Sequence, residues 1–215
     1  MQEHSVNNVS NLVTLIMEKN IPIETPILEG KEYVFCGGRI KVIGPTKNEM
    51  LKVATKIEHS NQVTEHAGYK YVGNIIDVQD KYQPDLSDSN KASIIMVVEF
   101  ENKKLLFTGD STSENIIKAV DKYYPGDEFE VVKLPHHGRY SEKIDELLTA
   151  ISPTYGIITC SEEEYADTEV LELLAKHHVQ TLMTSDGPIV IRSDGKNISV
   201  HQQLKTIISF KQKGD

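Results

Sequence analysis

Leu105-Leu106-Phe107-Thr108-Gly109-Asp110 and Val131-Val132-Lys133-Leu134-Pro135-His136-His137-Gly138 are the two stretches on which the reading of this chain turns. In each, an apolar, β-prone run ends abruptly in residues that carry chemistry. Around the first, Ser93 to Phe100 and Lys104 to Thr108 read as strands joined by the polar turn Glu101-Asn102-Lys103, both apolar enough to lie inside a layered sheet. Beyond it, helices expected over 114–123, 142–150 and 168–177 alternate with strands at 131–134, 155–159 and 179–183. The runs 179–183 and 189–192 are expected to pair across Ser185-Asp186-Gly187, with Ile198-Ser199-Val200 following. Strands alternating with helices ask for an α/β layered sheet with helices packed on it.

The first half is sparser. Val9, Leu12, Val13, Ile16 and Met17 have the 3/4 spacing of an amphipathic helix that ends before Pro22. Tyr33-Val34-Phe35 and Ile40 to Ile43 flank Cys36-Gly37-Gly38-Arg39 as a hairpin ended by Gly44-Pro45. Residues 48–58 look helical, and 59–90 is polar without a persistent period, a long loop or insertion. The expected division is an N-terminal helix and linker over 1–27, a domain over 28–205 and a polar tail over 206–215.

With 215 residues, 39% hydrophobic and 26% charged, and a mean hydropathy of −0.35, the chain has the composition of a soluble globular protein, not of a disordered or collagen-like one. No apolar run reaches the roughly 18 residues of a membrane span, and the N-terminus lacks a secretory h-region, so a cytoplasmic location is expected. Cys36 and Cys160 fit no zinc or redox spacing and read as reduced thiols. The formal charge of −9 argues against a dedicated nucleic-acid-coating role. It does not exclude a nuclease, because a divalent ion supplies local positive charge.

At the first motif Asp110 is either a cap or turn residue, with Ser111, Thr112 and Ser113 also available to cap the next helix, or a carboxylate presented at a strand end, where open sheets bind ligands. At the second, adjacent imidazoles in an extended segment point in opposite directions. One metal ligand and one substrate or proton-handling group is then the natural division, against the alternative of two loop histidines without a ligand role. Tyr123 and Tyr124 read as packing residues, and Tyr140 lies close enough to His137 in sequence to line a cleft.

Taken together, Asn90-Lys91-Ala92-Ser93, the Thr108-Gly109-Asp110 turn, Lys133 to Gly138, Ser141 and the late Thr184-Ser185-Asp186-Gly187 resemble the metallo-β-lactamase superfamily over roughly residues 28–200. Within it the pattern is similar to the branch that contains the hydrolase-like domain of the competence protein ComEC. The resemblance implies a four-layer αββα sandwich, incomplete at its N-terminus, with a metal site at the sheet edges. It implies Asp110 as the carboxylate that binds or bridges metal, and His136 or His137 as the late histidine ligand. It implies Zn²⁺ or Mn²⁺ as cofactor and a phosphodiester, in a nucleotide or nucleic acid, as substrate, with Asp110, His136 and His137 catalytic.

Three departures shape that expectation. The H-x-H-x-D-H cluster expected upstream is absent, since His4 stands alone before His59. Arg139 replaces the usual Ser after H-H-G and would either pair with a phosphate or lie in solvent; with Ser141 it is a candidate for substrate binding. Ser161 to Asp167 replaces a neighbourhood that usually carries another histidine. His59 and His66 are candidates to compensate, while His177-His178 closes a helix, where imidazole favours the dipole. With only Asp110 and one histidine assignable, against about three ligands in a catalytic site, the isolated chain is expected to hold metal weakly or not at all. Either an N-terminal segment or partner chain completes a metal-dependent hydrolase, or the chain is a degenerate subunit with an assembly or regulatory role.

Overall fold

Seven strands hydrogen-bond in chain order into one mixed sheet: β1 (Glu32–Phe35), β2 (Gly38–Gly44), β3 (Ile95–Phe100), β4 (Lys103–Phe107), β5 (Val131–Lys133), β6 (Tyr155–Ile158) and β7 (Gln180–Met183). The computed structural model that defines them describes residues 14–22, 24, 26–59 and 88–203. Strands β1 to β4 form an antiparallel meander, and β4 to β7 run parallel. Short turns join β1 to β2 and β3 to β4, whereas residues 45–94 lie between β2 and β3. Parallel neighbours need crossovers, and the three helices that alternate with them supply these.

Helices α1 (Lys47–His59) and α2 (Asp88–Lys91) precede β3, and α3 (Ser113–Tyr123), α4 (Ile144–Ile151) and α5 (Thr168–Lys176) form the crossovers. Their starts are written locally. Thr46 and Glu49 cap α1 reciprocally, the Thr46 amide donating to the Glu49 carboxylate at 2.7 Å and the Glu49 amide to Thr46 Oγ1 at 3.2 Å. Thr112 caps α3 by accepting from the Asn115 amide.

The apolar faces of the three crossover helices, Ile116 and Val120 on α3, Leu147 and Ile151 on α4, Val170 and Leu174 on α5, pack on Ile95, Val97, Leu106, Val132 and Ile158 of the sheet. Phe129 at the entry to β5 is wholly enclosed and meets Tyr124 edge-on, with ring centroids 5.8 Å apart. The Tyr124 hydroxyl donates to Glu99, which Arg39 also grips through Nε at 2.7 Å and Nη2 at 3.2 Å. A polar clasp thus ties β2, β3 and α3 at the margin of the core.

One expected pairing is overturned. The run 179–183 does not form a hairpin with 189–192: β7 is a parallel edge strand on β6, whereas β8 (Ile189–Ser193) pairs antiparallel with β9 (Ile198–Gln202) in a separate sheet. The reason lies between the runs. Thr184–Asp186 forms a 3-10 turn, and Thr184 Oγ1 accepts from the Cys160 amide and donates to the Cys160 carbonyl, both at 2.9 Å. That fastens the end of β7 to the exit of β6, and the chain leaves through Gly187 at φ +140°. The structure is therefore a mixed α/β fold with a seven-stranded sheet and a small second sheet. Of the N-terminal helix expected over 9–18, residues 14–18 are helical and the earlier ones lie outside the described residues. So do 60–87 of the expected insertion and the tail from 204 onward.

Phe129→Ala should lower stability by about 3–5 kcal/mol, the cost of a large cavity in a packed core. Urea unfolding followed by circular dichroism measures it, and a loss below about 1 kcal/mol would contradict the placement of Phe129 at the centre of the core.

Candidate functional site

The parallel strands end in register: Phe107 pairs with Lys133, Lys133 with Ile157, and Ile158 with Met183. The segments that leave them, Thr108-Gly109-Asp110, Leu134 to Gly138, Thr159-Cys160 and Thr184 to Asp186, therefore gather along one sheet edge. This is the carboxyl edge at which open α/β sheets hold ligands.

The first two segments are tied directly. Thr108 Oγ1 donates to the Lys133 carbonyl at 2.7 Å, Lys133 Nζ donates to the Gly109 carbonyl at 2.7 Å, and the His136 amide reaches the same carbonyl at 3.3 Å. Gly109 turns at φ +55°, and a Cβ there would stand 3.0 Å from Ser93 Cβ and 3.1 Å from the Ile94 carbonyl. Only glycine makes that turn without strain. Lys133 also lies 3.5 Å from Asp110 Oδ1. Burial pushes its pKa down, and the Asp110 carboxylate opposes that shift.

The histidine pair is not extended. His136 (φ 45°, ψ 47°) and His137 (φ 57°, ψ 23°) both take left-handed backbone conformations within a 3-10 turn over Pro135–Gly138. The expected opposition of alternating strand residues is thus replaced by two rings with centroids 6.4 Å apart, facing different surroundings. His136 lines a cleft; His137 lies behind it against Asp110. The strained turn is clamped from the start of α5. The Asp167 amide donates to the Gly138 carbonyl at 3.1 Å, and the Asp167 carboxylate receives the Tyr140 amide at 2.7 Å and Arg139 Nη1 at 3.0 Å. The Tyr140 amide, with the Arg139 guanidinium, outweighs partial burial and holds the Asp167 carboxyl below its usual range.

His137 is held through Nδ1. Nδ1 stands 2.5 Å from the Thr159 carbonyl, which can only accept, so Nδ1 carries a hydrogen. Nε2 then faces Asp110 Oδ1 at 3.5 Å. In the neutral ring this sets a lone pair against a carboxylate, an arrangement that is attractive only when a second proton or a cation supplies positive charge there. A backbone carbonyl on one ring nitrogen is also the usual support of a metal-binding histidine.

Asp110 therefore meets His137, and His136, Arg139, Tyr140 and Ser141 line the adjoining cleft of about 410 Å³ with it. Arg139 is engaged by Asp167 and Ser141 Oγ lies 2.6 Å from Ser113 Oγ. Asp110 is not the helix cap, a position Thr112 occupies. His177 pairs with Asp145 of α4, away from the cleft, and His201 sits exposed on β9. The segment holding His66 lies outside the described residues, as does the side chain of His59. The donor types at Asp110 and His137 suit a divalent ion, but among the described residues no group of three or more His, Cys, Asp or Glu converges as a metal site. Sequence reasoning missed Lys133, legible only as a lone cation ending a buried strand, and Asp167, legible as a cap before Thr168. The Thr159 carbonyl carries no sequence signal.

No protein-family model matches the chain. Over 107 residues it is 26% identical to ComE operon protein 3 of Bacillus subtilis strain 168, an alignment covering 48% of this chain and 14% of that protein. The chain thus spans about one-seventh of that relative's length. The similarity is compatible with the ComEC-like resemblance in the sequence. No helix among the described residues is long and apolar enough to cross a membrane.

Two outcomes check this geometry. Gly138→Ala should cost about 1–3 kcal/mol, because the residue sits at φ +77° and a Cβ would meet Ala166 Cβ at 2.9 Å; thermal or urea melts read it. Asp167 has a folded pKa below its ordinary 3.8, so its contribution to stability is present above 3.8 and is lost as pH falls through the lower folded value. Melting temperature followed from neutral pH into that range should fall less steeply in Asp167→Asn than in the parent chain, and parallel curves would show the clamp contributes nothing.

Proposed function

We propose that this chain is a ComEC-like, metallo-β-lactamase-type hydrolase domain, with the finer αββα sandwich that this implies, acting on a phosphodiester. The observation that carries the reading is His137, oriented by the Thr159 carbonyl and directed at the Asp110 carboxylate 3.5 Å away. Asp110 and His137 would supply two ligands to a zinc or manganese ion. The remaining ligands would come from a histidine-aspartate cluster on a partner polypeptide.

A divalent ion held there would lower the pKa of water toward 7 and so provide a nucleophile at neutral pH. Asp110 would help to hold the ion, and Lys133, 3.5 Å from its Oδ1, would stabilise its negative charge. His136, on the cleft wall, is placed to protonate the leaving oxygen. Arg139 and Ser141 flank the substrate, with Arg139 positioned by Asp167.

A second reading is favoured by the ammonium of Lys133, which already lies 3.5 Å from the same carboxylate oxygen. Lys133 would compensate Asp110 without any metal, leaving a degenerate domain in an assembly or regulatory role.

Metal content after dialysis against Zn²⁺ or Mn²⁺, and cleavage of bis-p-nitrophenyl phosphate, separate the two. The isolated chain should retain little metal and turn over little. A polypeptide carrying an H-x-H-x-D-H cluster should restore both, with each lost in Asp110→Ala and His137→Ala. His136→Ala should keep the metal and lose turnover by about 100-fold or more, the usual contribution of a general acid. Tight stoichiometric metal in the isolated chain with Asp110-dependent turnover would refute the shared site. Failure of any partner segment to restore metal would favour the degenerate domain.

A further inference from the structure

The cleft beside Asp110 contains a second set of donors. Its wall includes the start of α3, an eleven-residue helix whose first turn is incompletely satisfied. The first four N–H groups of any helix lack partners within it. Here the Asn115 amide is taken by Thr112 Oγ1 and the Ile116 amide by the Thr112 carbonyl, which leaves those of Ser113 and Glu114.

An independent observation lies one residue before the cap. Ser111 is 1% exposed, forms part of the same cleft wall, and its Oγ has no hydrogen-bond partner among the described residues. A buried hydroxyl without a partner costs about 1–3 kcal/mol, and such groups mark strain or a missing ligand. Next to it, Ser113 and Ser141 share one hydrogen bond between two hydroxyls, so one of their two protons is left to donate.

Acidic and basic side chains are equal in number at this end. Lys91, Arg139 and Lys143 line the cleft with Asp110, Glu114 and Glu142. Of the acids, Glu114 is paired with Lys118 at 2.7 Å, and Asp110 is flanked by Lys133 and His137. The partial positive charge of the α3 N-terminus adds to the basic side. A cleft of about 410 Å³ falls in the range of small-molecule sites.

We propose that this end of the cleft is an oxyanion subsite for one phosphate of a small phosphate ester, received by the amides of Ser113 and Glu114 and the hydroxyl of Ser111. The Ser113–Ser141 pair supplies a further hydroxyl donor. As a substrate anchor the subsite rests on the hydrolase reading above, but anion binding itself does not. It also gives Ser141 a role other than direct contact with the metal-facing groups.

The test is a titration of the full, metal-free chain with inorganic phosphate and, separately, dimethyl phosphate, followed through backbone amide shifts. Saturable shifts at Ser113 and Glu114 are expected. The probe that binds more tightly assigns the subsite to a terminal or an internal phosphate. Ser111→Ala should weaken binding about tenfold or more, the loss of one hydrogen bond to a charged group. Its urea midpoint should equal or exceed that of the parent, because the deleted hydroxyl has no partner. Absence of saturable shifts, unchanged affinity in Ser111→Ala, or a lowered urea midpoint in that variant would each overturn the proposal. Ser111-dependent phosphate binding in a completed site without turnover would leave the subsite standing and remove the hydrolase reading. Turnover with KM unchanged by Ser111→Ala would do the reverse.

Discussion

The ammonium of Lys133 organises this edge of the sheet. It closes β5, a strand whose other two residues are buried, and cannot reach bulk water freely. A dehydrated cation needs acceptors, and those within reach belong to the neighbouring strand's exit: the Gly109 carbonyl and the Asp110 carboxylate. The turn after β4 is drawn round Lys133 as a result. Gly109 absorbs the backbone cost, and Thr108 returns a hydrogen bond to the Lys133 carbonyl. With the His136 amide on Gly109 as well, the ends of β4 and β5 behave as one unit, and Asp110 is held where His137 can face it.

The other side of the site is built by different means. The histidine turn places two consecutive residues at positive φ, a conformation that costs L residues free energy and persists only when neighbours enforce it. Asp167 does so from the start of α5, holding Gly138, Arg139 and Tyr140 at three points, and Thr159 does so from the end of β6 by fixing the His137 ring. Three crossover strands and the helix after them therefore converge on one pair of side chains. Strain is concentrated in this way at a turn whose ends, Pro135 and Gly138, are buried while His137 stays exposed.

Much of this order was legible in the sequence. The alternation of apolar runs with amphipathic helices located every crossover of the parallel half, and the abrupt polarity after Phe107 and Leu134 marked the two segments that meet at the sheet edge. What failed was pairing. The runs 179–183 and 189–192 satisfy the pattern of a hairpin, but β7 joins β6 in a parallel ladder whose end the side chain of Thr184 fastens to Cys160. Periodicity reports which residues are buried, not which strand they pair with. The division of labour between His136 and His137 was equally hidden, because it depends on a left-handed turn and on a main-chain carbonyl 22 residues away.

The net charge of −9 sits uneasily with an anionic ligand, and the local arrangement resolves the conflict. Long-range repulsion between exposed charges is screened beyond roughly 8–10 Å at physiological salt, so it bears on encounter more than on the bound state. Within the cleft two of the three acids have a lysine beside them, Lys133 for Asp110 and Lys118 for Glu114. The groups proposed to meet a ligand are then the helix N-terminus and buried hydroxyls. The proposed subsite would discriminate by directed hydrogen bonds and not by bulk attraction, which would suit a small phosphate ester better than a polyanionic surface. The acidity of the chain and the chemistry of its cleft are in that sense complementary, one disfavouring indiscriminate binding to polyphosphate and the other favouring a single, well-placed oxyanion.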